Sequence, residues 1–343
     1  MTEHDHDQRE ASRQSGEMTD PRNAWPHSQR LVLAPMAGIN DPLWRRICWE
    51  QGADLCYSEM ISAAGLAYRN PHSRALLCRA ADEPPWVVQL FGHDPDLLVQ
   101  AAVQLMEEQG NSLAGVDLNM GCATPKIAGR GDGAALMLQP ALASEILTRL
   151  VRAVPVPITV KIRRGYHSGQ ENAPELARRA EASGVQAIAV HGRWAEQLFR
   201  GRADRGVIAR VQAAVSIPVI ASGDVYTVAD IQDYLQVQGA DAVMIARGAL
   251  GNPWLFRAAQ AALCSEAIQP ALPVSLTERV AVARAHCRGL AELCPERLVG
   301  LRKHLAWYFR GLPGATAIRQ AVNYCKTLTD YLSLLERVET GEL

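Results

Sequence analysis

The amino-acid sequence predicts an α/β fold, a (β/α)8 TIM barrel followed by a small C-terminal all-helical domain. Three observations lead there. Eight short apolar, β-branched runs alternate with longer helical stretches, at the spacing of one strand plus one crossover helix. The first run is followed by Met36-Ala37-Gly38-Ile39-Asn40-Asp41, which lacks the G-x-G-x-x-G turn of a doubly wound dinucleotide-binding sheet. After Trp254 the strand-like runs stop and only helical periodicity continues.

The chain has 343 residues, enough for one barrel and an appendage. Residues 1–29 carry six acids, three arginines and three histidines, with almost no apolar residue before Trp25, and are expected to form a disordered tail. His4 and His6 read as incidental polar residues of that tail. The barrel is assigned to residues 30–263. Its strands are expected at Leu31–Pro35, Asp54–Ser58, Trp86–Leu90, Gly115–Asn119, Ile158–Ile162, Ala187–His191, Val219–Ser222 and Ala242–Ala246. Helix punctuation falls between them. Asp94-Pro95 offers an N-cap with proline at the first helical position, and Gly110 a stop. Thr227 with Asp230 forms a capping-box pattern closed by Gly239.

A connector is expected near Pro270–Pro273 and a helical domain over 270–335. There Leu276, Val280, Val282, Ala283, His286, Cys287 and Leu290 share one helix face, and Gly311-Leu312-Pro313-Gly314 separates two helices.

The net charge is −1, so any affinity for nucleic acid must come from local clustering. Eight cysteines include no C-x-x-C pair or other metal spacing, and at this chain length an extracellular disulfide framework is not expected. No N-terminal apolar run suits a signal peptide or membrane span, so a cytoplasmic location is expected, with no membrane and no stable protein partner implied. Only four basic residues are lysines (Lys126, Lys161, Lys303 and Lys326), and the rest are arginines. A flexible point charge and a planar fork do different work, so each lysine merits inspection.

Barrel chemistry sits at the C-terminal ends of the strands. In order, those ends carry Pro35-Met36, Ser58-Glu59-Met60, Gln89, Asn119-Met120-Gly121-Cys122, Lys161-Ile162-Arg163-Arg164, His191-Gly192-Arg193, Ser222-Gly223-Asp224 and Arg247-Gly248. Unpaired polar groups are costly in a core. Singly, each has a structural explanation: Gln89 bonded to neighbouring backbone, His191 a satisfied core histidine, Lys161 paired with Glu59. Together they predict a ring of donors around one mouth.

The turns after strands seven and eight are the usual phosphate site of this fold. Gly223 permits close approach, and Arg247 with the amides near Gly248 supplies positive charge and donors. A phosphorylated cofactor across the mouth is therefore expected. Lys161 suits the electron-rich edge of a flavin, and Gln89 and Asn119 suit the ring edge or a substrate base. Cys122 opens a glycine-rich loop reading G-R-G-D-G at 129–133, a flexible-hinge composition. An ordinary thiol is mostly protonated at neutral pH and can donate a proton. The alternative is a small loop residue without chemistry.

These motifs, in this order, resemble the tRNA-dihydrouridine synthases, most closely the bacterial B-type subfamily. The resemblance runs from about Leu31 to Leu328. It rests on Ala34-Pro35-Met36-Ala37-Gly38, Ser58-Glu59-Met60, Val88-Gln89-Leu90, Asp117-Leu118-Asn119-Met120-Gly121-Cys122, Val160-Lys161-Ile162-Arg163, Val190-His191-Gly192-Arg193, Ser222-Gly223-Asp224, Arg247-Gly248 and Asn252-Pro253-Trp254. Arg302-Lys303-His304 with Trp307-Tyr308 adds to it. The Ala-Pro-Met motif is shared with other FMN barrels, whereas Asn-Met-Gly-Cys with the Arg-Lys-His helix is more specific.

The resemblance implies FMN held by Pro35, Met36, Ala37, Gln89, Lys161, His191, Ser222, Gly223, Asp224, Ala246 and Arg247. It implies NADPH as reductant, hydride delivered to C6 of a tRNA uridine, and Cys122 as the acid at C5. Asn119, Arg163, Arg302 and Lys303 are expected at the substrate. One departure stands out: Ala123 follows the cysteine where the family usually has proline, with Pro125 two further on.

Residues 297–326 contain Arg297, Arg302, Lys303, Arg310, Arg319 and Lys326 and no acid, interleaved with Trp307, Tyr308, Phe309 and Tyr324. That composition suits phosphates and stacked bases. It equally suits a helical core with a solvated face. Two other functions share parts of the pattern. A different FMN barrel reductase acting on a small pyrimidine or enone would not need the basic helices. A non-catalytic RNA-binding barrel would be colourless.

Overall fold

The computed structural model describes residues 30–264 and 273–343. The expected tail and Pro270 of the expected connector lie outside the described residues. Eight parallel strands close into a barrel in sequence order. They are β1 (Leu31–Leu33), β2 (Leu55–Ser62), β3 (Trp86–Phe91), β4 (Leu113–Met120), β5 (Ile158–Gly165), β6 (Ala187–Trp194), β7 (Val219–Ser222) and β8 (Ala242–Ile245). Closure is made by β1 against β8, with Leu31, Val32 and Leu33 opposite Val243, Met244 and Ile245.

Strand alternation divides the apolar residues between two cores. Val32, Leu55, Tyr57, Val87, Ala189, Ile220 and Met244 point inward and fill the barrel. Leu31, Leu33, Val88, Leu118, Val160, Ile188 and Val243 point outward, beneath the helices. The barrel is thus a packed layer, and chemistry is left to its rim.

Several strands run further than their apolar runs. β2, β5 and β6 continue through Glu59, Arg163 and Arg193, because the ladder pairs backbone irrespective of side chain. Met60 stands opposite Gln89, and Arg163 opposite His191. β1 is shorter than expected and ends at Leu33, although Ala34 N still donates to Ile245 O at 2.9 Å.

Among the described residues, five barrel helices carry a side-chain N-cap, from Asp41, Ser62, Asn70, Asp94 and Thr227. The barrel helices begin with α1 (Pro42–Glu50), α2 (Ala63–Ala67), α3 (Pro71–Ala75) and α4 (Pro95–Gln109). Next come α5 (Pro125–Ala128), α6 (Pro140–Ala153), α7 (Ala173–Ala182), α8 (Gly206–Gln212), α9 (Val228–Gln232) and α10 (Trp254–Cys264). Asp94 caps α4 by accepting from Asp96 N and Leu97 N, and Gly110 ends it at φ 49°. Thr227 and Asp230 form the reciprocal capping box of α9.

The remaining helices are α11 (Leu276–Leu293), α12 (Leu301–Tyr308), α13 (Ala315–Val322) and α14 (Leu328–Glu339). α11 buries Val280, Ala283, His286, Cys287 and Leu290. Leu276, expected on that face, is exposed, because it is the first helical residue and lies beyond the packed turn. Gly289 lets α11 approach α1 closely: a Cβ there would meet Leu43 Cδ1 at 2.6 Å.

The same contact carries a buried polar cluster. Asp41, the N-cap of α1, accepts from Trp44 N and lies 3.1 Å from His286 Nε2. His304 Nε2 is 3.4 Å from its other oxygen, and His286 Nδ1 meets the Tyr308 hydroxyl at 2.9 Å. These residues come from three distant segments. Among the described residues, no helix is long and apolar enough to cross a membrane.

Candidate active site

A cavity of about 350 Å³ opens at the C-terminal ends of the strands. Its lining includes all eleven residues expected at a cofactor: Pro35, Met36, Ala37, Gln89, Lys161, His191, Ser222, Gly223, Asp224, Ala246 and Arg247. Asn119, Cys122 and Arg163 line it too. Barrel closure explains the convergence, since every strand delivers its terminal residue to one rim.

A chain of buried hydrogen bonds sets the floor. Thr159 Oγ1 donates to Asp117 Oδ1 and Gln89 Nε2 to Asp117 Oδ2, each at 2.6 Å. Asn119 Nδ2 donates to Gln89 Oε1 at 2.8 Å. Asn119 Oδ1 in turn accepts from Gly121 N and Cys122 N at 3.1 and 2.9 Å. Gln89 therefore binds neighbouring side chains, and both amides have a fixed orientation. Burial pushes the Asp117 carboxyl up to about 6, against the bonds from Thr159 and Gln89 that favour its anion. Asp117 was not among the expected site residues. Its burial as an acid inside a strand was the available sign.

Cys122 is half-buried, and its sulfur lies 3.3 Å from Thr124 Oγ1. Its carbonyl accepts from Ala134 N at 2.9 Å. The 129–133 segment, flexible by composition, is folded tightly here. Gly133 has φ 60°, and a Cβ on it would meet Cys122 O at 2.6 Å. The loop thus lies close against the cysteine backbone and is bonded to its carbonyl, with the thiol at the cavity edge. Ala123 stands two residues before α5, which starts at Pro125 with Thr124 as its N-cap residue.

Lys161 is half-buried in the same lining, and among the described residues no acceptor bonds its Nζ. It does not pair with Glu59. That carboxylate takes Gly38 N and Arg297 instead. Burial, and then the charge of Arg163, lower the Lys161 ammonium to about 8. Burial, with Lys161, Arg163, Arg193 and Arg247 adding to it, holds His191 well below its usual range, so it is neutral. Arg193 Nη1 lies 3.3 Å from His191 Nε2, which makes that nitrogen the acceptor and leaves the proton on Nδ1.

Arg193 is almost fully buried and holds Asp224 through both carboxylate oxygens, at 2.8 and 2.7 Å. Asp224 also accepts from Ala203 N and, at 3.1 Å, from Arg247. Burial works against its charge, and these donors outweigh it and lower its pKa. Arg247 is exposed and lies over the Phe199 and Tyr226 rings at 5.2 and 5.6 Å. Phe199 and Tyr226 belong to the loops after β6 and β7, and sequence reasoning missed both. Loop aromatics carry no periodicity that would mark them.

The expected substrate residues are placed differently from one another. Arg163 donates to Gly121 O, Trp194 O and Leu198 O at 2.7, 3.0 and 2.9 Å, tying the cysteine loop to the loop after β6. Lys303 Nζ bonds Gly38 O, which sets it at the rim beside Ala37. Arg302 uses Nε and Nη2 on the Cys325 carbonyl. Tyr308 and Phe309 are core residues, whereas Tyr324 is 81% exposed. Arg310, Arg319 and Lys326 are exposed, and among the described residues their side chains have no ion-pair partner.

A closed parallel barrel whose mouth gathers a thiol, a neutral histidine and a lysine without an acceptor among the described residues defines an enzyme of the TIM-barrel class. The family model for dihydrouridine synthase matches residues 32–341. The tRNA-dihydrouridine synthase B of Pasteurella multocida is 38% identical over 90% of this chain and 92% of its own. That of Pseudomonas aeruginosa is 38% identical over 86% and 88%, and that of Escherichia coli 37% over 90% and 95%. The chain belongs to the dihydrouridine synthase family, a family of oxidoreductases, and its relatives place it with the B-type members.

Among solved structures, histamine dehydrogenase from Rhizobium sp. 4-9 matches with a TM-score of 0.52 at 14% identity, over 68% of this chain and 46% of that one. The amine oxidase HisD from Pseudomonas geniculata matches with a TM-score of 0.53 at 12% identity, over 68% and 47%. The chain spans about half the length of these two proteins, and the likeness is one of fold.

Proposed function

We propose that this chain reduces uridines in tRNA to 5,6-dihydrouridine in the cytoplasm, using FMN with NADPH as reductant. The observation that carries the reading is that Cys122 and the unpaired Lys161 line one cavity. The cavity residues fit the cofactor. An unpartnered cation in a half-buried position calls for an electron-rich group, and Lys161 would meet the flavin ring there. Gly223 has φ 114°, and a Cβ on it would meet His191 Cδ2 at 2.8 Å, so only glycine leaves room at this edge. Arg247, with the backbone beside Ala246 and Ser222, would hold the phosphate, and Pro35, Met36 and Ala37 would cover the ring. Gln89, His191 and Asp224 would complete the set.

When bound and reduced, the flavin supplies hydride to C6 of the base. Cys122 holds the proton destined for C5 on its sulfur, and Thr124 Oγ1 orients that sulfur. Asn119 positions Cys122 by accepting the cysteine's backbone N–H on Oδ1, and its amide nitrogen donates to Met60 Sδ at 3.7 Å, a weak bond that a base would displace. A base inside folded RNA must leave its stack to reach this depth. Lys303 at the rim, with Arg310, Arg319, Lys326 and Tyr324 on the C-terminal helices, would meet the RNA. Arg163 and Arg302 would act by holding loops.

The test is mass spectrometry of tRNA nucleosides from a strain lacking the protein, complemented with wild type or with Cys122→Ala. Wild type is expected to restore dihydrouridine and the variant to leave most of it missing. Equal restoration by both removes the proton-donor role, and no restoration by wild type removes the activity.

A further inference from the structure

Cys78 and Cys294 are 216 residues apart in sequence, yet their sulfurs lie 2.6 Å apart. Cys78 follows α3 on the barrel, and Cys294 is the C-cap of α11. Both backbones are held in place. Cys78 O accepts from Arg45 Nη2 at 2.8 Å, and Arg45 is buried against Glu83 and over the Trp86 ring. Cys294 N donates to Leu290 O at 2.9 Å, and three residues further on Arg297 is paired with Glu59. With both backbones held, the two sulfurs face each other at a high effective concentration.

We propose that Cys78 and Cys294 are a redox modification site, forming a reversible disulfide that joins the barrel to the C-terminal helices. The oxidant is a low-molecular-weight disulfide of the glutathione class. Cys294 is buried and Cys78 is partly exposed, so Cys78 meets the reagent first. Burial, with the Cys78 thiol adding to it, pushes the Cys294 thiol up to about 12, which also favours Cys78 as the attacking sulfur.

The Cys78 thiolate bonds to one sulfur of the reagent and expels the other as a thiol. Cys294 then gives up its proton, bonds to the Cys78 sulfur and expels the second thiol. Two protein thiols are oxidised and one disulfide is reduced to two thiols, so electrons and protons balance. The bond would lie at the start of the segment that carries the Arg297–Glu59 pair and the Lys303 bond to Gly38 O. It would hold those helices on the rim of the cavity.

The experiment treats the full chain with oxidised glutathione or with dithiothreitol. It reads non-reducing peptide maps after alkylation and the midpoint of thermal unfolding. The expected result is a linked Cys78–Cys294 peptide, loss of alkylation at both residues and an upward shift of the midpoint, all reversed by dithiothreitol. Cys78→Ser, and separately Cys294→Ser, should abolish the shift. Cys78→Ser, at the more exposed of the two positions, serves if the other variant does not fold. The proposal is overturned if Cys78 stops at the glutathione adduct, if both residues stay open to alkylation, or if either pairs with a different cysteine.

Discussion

Asn119 Oδ1 accepts the backbone N–H of Cys122 at 2.9 Å, so the residue proposed to meet the base also sets the height of the thiol. Gly133 leaves room for the carbonyl of the same cysteine, which a Cβ at that position would meet at 2.6 Å. Replacing the thiol tests the chemistry, and disturbing either neighbour tests its position. Cys122→Ala should lower turnover by about 10²–10⁴-fold, the range for loss of a general acid, with flavin absorbance retained. Gly133→Ala puts a Cβ at a positive φ against Cys122 O. It should lower kcat at unchanged flavin content, which steady-state rates on tRNA and a flavin spectrum will show.

Lys161 predicts opposite effects on stability and on ligand binding. Its lowered pKa marks a charge that the cofactor-free protein accommodates poorly. As pH rises from about 8 toward the usual lysine value of 10.5, the unfolded chain holds this proton longer than the folded one, so stability rises across that window. Lys161→Met should therefore stabilise the flavin-free protein by about 1–3 kcal/mol while weakening flavin binding. Chemical denaturation of the flavin-free protein and a fluorescence titration with FMN measure the two effects.

His304 predicts an acid-side loss of stability. Burial first, and then the charge of His286, lower its pKa to about 3. Below the ordinary histidine value of 6.5 the unfolded chain binds a proton that folded His304 refuses, so stability falls from there down toward pH 3. Asp41 is depressed as well, since its histidine neighbours outweigh the effect of burial, and its contribution fades at the acid end of the same range. The slope from His304 is about 1.4 kcal/mol per pH unit. Denaturation curves between pH 7 and pH 5 should show it, and His304→Gln should flatten it.

The exposed cations of the C-terminal helices separate binding from folding. Arg310→Ala, Arg319→Ala and Lys326→Ala should leave the unfolding midpoint nearly unchanged. Removing one cation that neutralises a phosphate should reduce the slope of log affinity against log salt by about 0.7–0.9. Arg302→Ala should behave differently and destabilise the fold, because its guanidinium satisfies the Cys325 carbonyl. Filter binding of tRNA across a salt series, beside thermal melts, distinguishes the two classes.

The barrel, its strand order and the ring of polar strand ends are legible in the linear sequence. Alternation of apolar residues is a local property, and strand-end positions follow once eight parallel strands close. Lys161, Cys122 and His191 can thus be placed at one mouth from the order of the residues. The partners of those residues cannot. Whether Arg163 grips a phosphate or three carbonyls, whether Arg302 faces RNA or Cys325, and that Glu59 meets Arg297 depend on which loops arrive beside long side chains. So do the meeting of Asp41 with His286 and His304, and of Cys78 with Cys294. Segments hundreds of residues apart are brought together by packing of α11 and α12 on the barrel, a many-body arrangement that no local pattern encodes.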